Sequence, residues 1–183
     1  MGSEGDFSFE EAVLSATACK VYTFDCTYAG KSINPQRHVY KEWCLGKSTK
    51  YDMPLQTNSN TAKNPEYKSW TTALEELNLT HVDALKIDIE GFEWSTLDTW
   101  QREDNLPGQL AIELHFAEQG RPSQRDSSWS EMSMMFVHLA NLGYASTSRD
   151  DNFHGSCCSE FSFVRLPGIR RIPGVMRDTS RGV

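Results

Sequence analysis

Apolar positions fall along the chain in blocks that switch between helical and strand spacing. FSFEEAVLSATA sets Phe9, Val13 and Ala16 on one stripe and predicts a helix, with Ser8 as its N-cap and Glu10 and Glu11 in its first turn. KVYTFD, in which Val21, Tyr22 and Phe24 lead to Asp25, predicts a strand, and HVYKEWCLG a second one. Residues 47–66 are rich in Asn, Thr, Ser and Pro without an apolar period, which predicts a long surface loop or lid. SWTTALEELN places Trp70, Leu74 and Leu77 on one side of a helix capped by Ser69. In VDALKIDIEGFEWSTLDTW the run Ala84, Leu85, Ile87, Ile89 suits a strand covered on both faces, and the chain then turns at Gly91 into a helix carrying Trp94, Leu97 and Trp100. GQLAIELHF repeats the strand pattern and ends in Glu113 and His115. WSEMSMMFVHLANLGY predicts a helix opened at Ser130 before Glu131 and closed by Gly143. YASTSRD and CSEFSFVRLP close the series as two strands joined by the polar turn DNFHGS.

Alternation of this kind predicts an α/β fold: a mainly parallel sheet with helices on both faces and one antiparallel strand at the edge. Its 183 residues suit a single soluble domain. A net charge of -7, with no run of like charges, argues against partners that present phosphate, so neither nucleic acid nor a membrane surface is expected. The apolar stretches are far shorter than the roughly 20 residues that cross a bilayer, and MGSEGDFSFEE has no signal region. The opening Met-Gly lacks the Ser or Thr that myristoylation wants at the sixth position, which is Asp6. The cytoplasm is the default location, with the secretory pathway as the alternative if an upstream segment is missing.

Five cysteines, Cys19, Cys26, Cys44, Cys157 and Cys158, form no CxxC pair, so free thiols are expected and no metal site is read from their spacing. Two features point the other way: Asn78-Leu79-Thr80 fits a glycosylation acceptor, and the adjacent Cys157 and Cys158 allow a bridge from each to a distant partner.

In an open parallel sheet, ligands sit beyond the carboxyl ends of the strands, so polar residues at those ends are the candidates for chemistry. Gly2-Ser3-Glu4-Gly5-Asp6 lies directly before the first helix, where glycines allow close backbone approach and unpaired N–H groups are on offer. Asp25 ends a strand, where an acid accepts both hydroxyls of a ribose or else simply turns in solvent. Asp88-Ile89-Glu90-Gly91 puts two carboxylates on one side of the chain after an apolar strand, and unpaired charge there would cost several kcal/mol, so an open cleft, a bonded partner or a metal is implied. Glu113-Leu114-His115 sets an acid and an imidazole facing the same way, suited to proton exchange, with a buried structural histidine as the competing reading. His38, His81, His138 and His154 show no partner spacing and read as structural or surface residues.

GDFSFEEAV, followed by VYTFD, WCLG, DALKIDIEGFEW and QLAIELH, resembles the FkbM-type methyltransferases and their eukaryotic methyltransferase-like relatives, in motif order as well as in content. The likeness runs from Gly5 to about Val164, and the LKIDIEG-x-E-W block is its most specific part. It implies a Rossmann-like three-layer sandwich of the class I S-adenosylmethionine kind, over residues 1–168, with 169–183 as a disordered tail. S-adenosyl-L-methionine is the implied cofactor, with Gly5 and Asp6 near its methionine part, Asp25 on its ribose, and Asp88 at the methyl-transfer face. Glu90, Glu113 and His115 also match the family pattern. The expected reaction is O-methylation of a small-molecule or glycan acceptor, with Asp88 organising the junction of cofactor and acceptor and His115, oriented by Glu113, as the base. Only Met1 precedes Gly2, so the strand that delivers the glycine loop in this fold is missing and the domain reads as N-terminally truncated. Either the chain is part of a longer protein or KVYTFD pairs directly beside DALKIDIE. Two other readings use the same residues: a nucleotide-sugar transferase with Asp88 and Glu90 on a divalent metal, or an inactive Rossmann-like interaction domain whose tail arginines contact a partner.

Overall fold

A computed structural model of the chain describes residues 2–3, 5–46, 66–116, 127–151 and 157–167. The lid expected at 47–66, apart from its last residue, residues 117–126, the turn 152–156 and the tail 169–183 lie outside them. In chain order the elements are α1 (Ser8–Ala16), β1 (Val21–Phe24), β2 (His38–Lys41), β3 (Trp43–Leu45), β4 (Glu66–Lys68), α2 (Trp70–Glu76), β5 (Ala84–Ile87), α3 (Glu93–Asp98), β6 (Gln109–His115), α4 (Trp129–Asn141), β7 (Tyr144–Asp151) and β8 (Cys158–Arg165). The fold is α/β, as the alternation predicts.

The sheet differs from the expected one. Among the described residues the strands form three ladders: β1 parallel to β2, β3 parallel to β4, and a four-stranded sheet in the order β5-β6-β8-β7. Within the last, β5 and β6 are parallel while β8 runs against both its neighbours, β6 and β7. The reversed strand therefore sits one place in from the edge, and β7 takes the edge. Eight-residue β8 pairs along both sides, and its alternating Phe161 and Phe163 are buried, so it is fit for an interior place that a polar edge strand such as β7 is not.

The direct pairing of KVYTFD with DALKIDIE does not occur. β1 pairs with β2 and β5 with β6, and Gly2 lies between the tips of β1 and β5, donating its N–H to the Phe24 carbonyl at 3.2 Å. A Cβ on Gly2 would stand 1.8 Å from the Asp88 carbonyl oxygen, and its φ of +79° is open chiefly to glycine, so this close approach excludes a side chain.

One apolar core joins α2, α3 and α4 to the four-stranded sheet. Trp70, Leu74, Leu97 and Trp100 pack there with Ile87, Leu110, Ile112 and Phe161, and Trp70 and Trp100 meet with ring centres 5.6 Å apart. Ser69 caps α2 through the Thr72 N–H, as its position suggests. α4 is capped two residues earlier than read, with a capping box between Ser128 and Glu131 instead of at Ser130, and Gly143 closes it. The stripe of α1 is corrected more deeply. Phe9 is half exposed, while Glu10 is buried and accepts a hydrogen bond from Thr23 Oγ1 at 2.7 Å, with His38 Nε2 3.0 Å from the same hydroxyl. Ser8 does not cap α1; the Asp6 carboxylate accepts the Ser8 N–H instead.

Cysteine pairing also departs from the free-thiol expectation. Cys26, just after β1, is joined to Cys44 in β3, Cys157 is paired with its neighbour Cys158 rather than with a distant partner, and Cys19 is free and exposed. The first bond ties two otherwise separate ladders beside the contact of Phe24 with Trp43. Its 18-residue separation predicts that the double change Cys26→Ala, Cys44→Ala lowers the unfolding free energy by about 3 kcal/mol. Urea titration of both proteins without reductant checks this, and equal midpoints would remove the bond as a stabilising element.

Candidate functional site

Three strand ends carry the polar residues of the site. β1 delivers Asp25, β5 delivers Asp88, and β6 delivers His115. Charge is tolerable at these ends where polar partners meet it.

Asp25 is buried, and both its oxygens are used. Oδ2 accepts from the Ser3 N–H at 2.7 Å and the Ser3 hydroxyl at 3.1 Å, and Oδ1 from the Thr27 N–H at 2.8 Å and the Thr27 hydroxyl at 2.7 Å. Four donors on one carboxylate offset the cost of burying its charge. Gly5 beside it has no room for a side chain, since a Cβ would fall 2.5 Å from the Tyr28 ring. The Tyr40 hydroxyl donates to the Tyr28 carbonyl at 2.6 Å and holds that loop in place. Gly2 and Ser3, reaching Phe24 and Asp25 on one side and Asp88 on the other, bring the first two strand ends to one edge of the molecule.

The second half of the site is a clamp around His115. Its Nδ1 lies 3.2 Å from Glu93 Oε1 and its Nε2 3.2 Å from Glu90 Oε2. Glu93, the first residue of α3, is fully buried and also accepts the N–H groups of Ile89 at 2.8 Å and Gly91 at 2.9 Å. It thereby knots the turn that follows β5. Within that turn Glu90 adopts φ +58° and Gly91 φ +102°; a left-handed glutamate is strained, and the Glu93 bonds and the His115 contact hold it there. Trp94 Nε1–H donates to the His115 carbonyl at 2.5 Å and fixes the backbone under the ring.

Burial alone would pull the imidazole pKa down, but hydrogen bonds to Glu90 and Glu93, together with their charges, outweigh it and push it up to about 10. At neutral pH the ring therefore carries both protons. Sequence reasoning has Glu113 orienting His115; in the structure both ring nitrogens face Glu90 and Glu93, while Glu113 keeps an oxygen within 4.8 Å of the His115 and Cys158 ligand atoms.

Residues 1–165 match a family described as a methyltransferase domain. The chain belongs to this methyltransferase family. Comparisons with curated proteins and with solved structures each found no match.

In this methyltransferase domain the structure gathers Asp25, Asp88, Glu90 and His115 at neighbouring strand ends, with Gly5 against Tyr28 on the Asp25 side. Asp6, expected near the cofactor, is exposed and spent on the Ser8 N–H, which holds its carboxyl below the usual range. Asp88 stays partly open, 3.7 Å from Lys86 Nζ. Asp88, Glu93 and His115 bring ligand-capable atoms within 4.8 Å of one another, so a cation there would have to displace a proton from the ring. Sequence reasoning names Ser3 only as part of the Gly2–Asp6 stretch and misses Thr27, Tyr28 and Glu93. For Glu93 there is a local signal, an acid in the first helical turn just after a glycine turn, where the open N–H groups of the helix start attract a carboxylate.

Proposed function

We propose that this chain is an S-adenosylmethionine-dependent methyltransferase acting on the oxygen of a hydroxyl or carboxyl acceptor, small molecule or glycan, on a Rossmann-like frame of the FkbM kind. The carrying observation is Asp25: a buried carboxylate at a strand end, already taking two hydroxyl and two N–H donors, with the Gly2-Ser3 segment that binds it lying against Asp88 on its other side. That donor set suits the two vicinal hydroxyls of a ribose, taken in exchange for those of Ser3 and Thr27. Gly2 and Gly5, where any side chain would strike Asp88 or Tyr28, let the N-terminal segment lie close against the strand ends. The bound cofactor supplies a methyl group on a sulfonium centre.

The rest of the chemistry belongs to the chain. An in-line displacement needs the acceptor oxygen held against the methyl and, for a hydroxyl acceptor, relieved of its proton. Asp88, partly exposed at the tip of β5, takes that proton, because a ring already protonated at neutral pH cannot. His115 is a positioning residue. As an imidazolium it pairs with Glu90 and Glu93 and fixes the turn from Asp88 to Gly91, which aims Asp88.

Calorimetric titration with S-adenosylhomocysteine tests the reading. One molecule is expected to bind per chain, and Asp25→Asn to weaken binding at least about tenfold, since a hydrogen bond to a charged group contributes about 1.5–3 kcal/mol. No heat from the native chain, or equal affinity in the variant, sinks the proposal. Asp88→Asn should leave that affinity nearly unchanged while slowing methyl transfer by about 100-fold or more, the usual contribution of a general base.

A further inference from the structure

Asn78-Leu79-Thr80 is the single Asn-x-Ser/Thr triplet in the sequence, and the methyltransferase reading leaves it unused. It lies in the turn after α2. The Asn78 N–H donates to the Glu75 carbonyl at 3.0 Å and its φ is +52°, a left-handed position that asparagine tolerates. The Leu79 N–H donates to the Leu74 carbonyl at 2.9 Å, and the Leu79 side chain packs on the core. With Leu79 turned inward, Asn78 and Thr80 on either side of it are both exposed. Asn78 lines an open hollow together with Thr71, Glu75, Thr80 and Asn105.

A second observation, independent of the triplet, concerns the compartment. Cys26 and Cys44 are both buried and bonded, with Cα atoms 4.9 Å apart, inside the span that such bonds require. Persistent structural disulfides belong to oxidising compartments, the secretory lumen among them, and asparagine-linked glycans are added in that lumen.

We propose that Asn78 is an N-glycosylation site and that this protein works in the secretory pathway. The donor is a lipid diphosphate-linked oligosaccharide, handled by the lumenal oligosaccharyltransferase. Asn78 Nδ2 displaces the lipid diphosphate from C1 of the first sugar: the C1–O bond breaks, a C1–N bond forms, and the amide proton leaves with the diphosphate, with no change of oxidation state. The position is compatible with activity. Asn78 lies before the start of β5 and Asp88 just past its end, so a glycan leaves the strand-end cluster open.

The full chain isolated from the cells that express it, denatured and treated with peptide-N-glycosidase, is expected to drop in mass by one glycan and to carry Asp in place of Asn78 in its peptide map. Asn78→Gln and Thr80→Ala should each abolish the shift, and Thr80→Ser retain it. Alkylation without reductant should leave Cys26 and Cys44 unlabelled. An unmodified Asn78 peptide from the untreated protein, or full labelling of both thiols, overturns the proposal. Affinity of Asn78→Gln for S-adenosylhomocysteine serves as the folding control, and either result there leaves the glycan readout to decide.

Discussion

Glu93→Ala is expected to lower the unfolding free energy by about 3–5 kcal/mol, the usual cost of removing one partner from a buried charge pair. The side chain is fully buried and serves three donors at once, the N–H groups of Ile89 and Gly91 and the ring of His115. Without it two backbone donors lose their acceptor, the His115 charge faces Glu90 alone, and the left-handed Glu90 loses the Glu93 bonds that help hold its turn. Glu93→Gln keeps one acceptor oxygen and should lose less. Replacing both His115 and Glu93 by leucine removes the paired charges together, so the double variant should be more stable than the sum of the His115→Leu and Glu93→Leu losses implies. Urea denaturation of the native protein, the two single leucine variants and the double variant measures the coupling. A loss below about 1 kcal/mol for Glu93→Ala would place this group among ordinary surface acids.

His115 makes the second large effect, in the pH dependence of stability. Its folded pKa is raised to about 10, above the unfolded value of about 6.5 for histidine, so the folded state holds a proton that the unfolded state has released. That contribution is fully present below about pH 6.5 and is lost as the pH climbs toward 10, at up to about 1.4 kcal/mol per pH unit between those limits. His115→Gln, which cannot titrate, should lose this slope and keep the background of the other groups. Ring resonances of His115 in a nuclear magnetic resonance titration give the direct reading. A midpoint near 6.5, or the same slope in both proteins, would show that the clamp does not hold the proton. The rate of methyl transfer carries the matching expectation: around neutrality it should show no inflection that disappears in His115→Gln.

The strand ends were legible because physics leaves few reasons for a charge directly after ALKI other than a partner, a cleft or a metal, which singles out Asp88. Asp25 and His115 stood as candidates beside a solvated-turn and a structural-histidine reading. How they are wired was not. An acid at 113 and a histidine at 115 face the same way in any strand, so the spacing suggested that Glu113 orients His115. Yet the turn after β5 folds Glu90 and Glu93 back onto the ring from 25 and 22 residues away. Strand periodicity carries no information about which loop arrives at a given face. Glu10 shows the same limit. The apolar stripe put Phe9 inside, and the buried Thr23 hydroxyl near His38 took Glu10 in its place, because a polar partner in the interior makes a carboxylate cheaper to bury than the stripe suggests.

The α/β class, the places where helices and strands begin to alternate, the polar strand ends and the glycosylation triplet were thus determined by the chain itself, since each depends on neighbours within a few residues. The order β5-β6-β8-β7, the gap between β1 and β5 spanned by Gly2, the Cys26–Cys44 bond and the charge on His115 were decided only by the folded molecule. Each of these joins groups far apart in the chain. Their energies come from contact, exclusion of water and the proximity of opposite charges, quantities that take a value only once the distances exist.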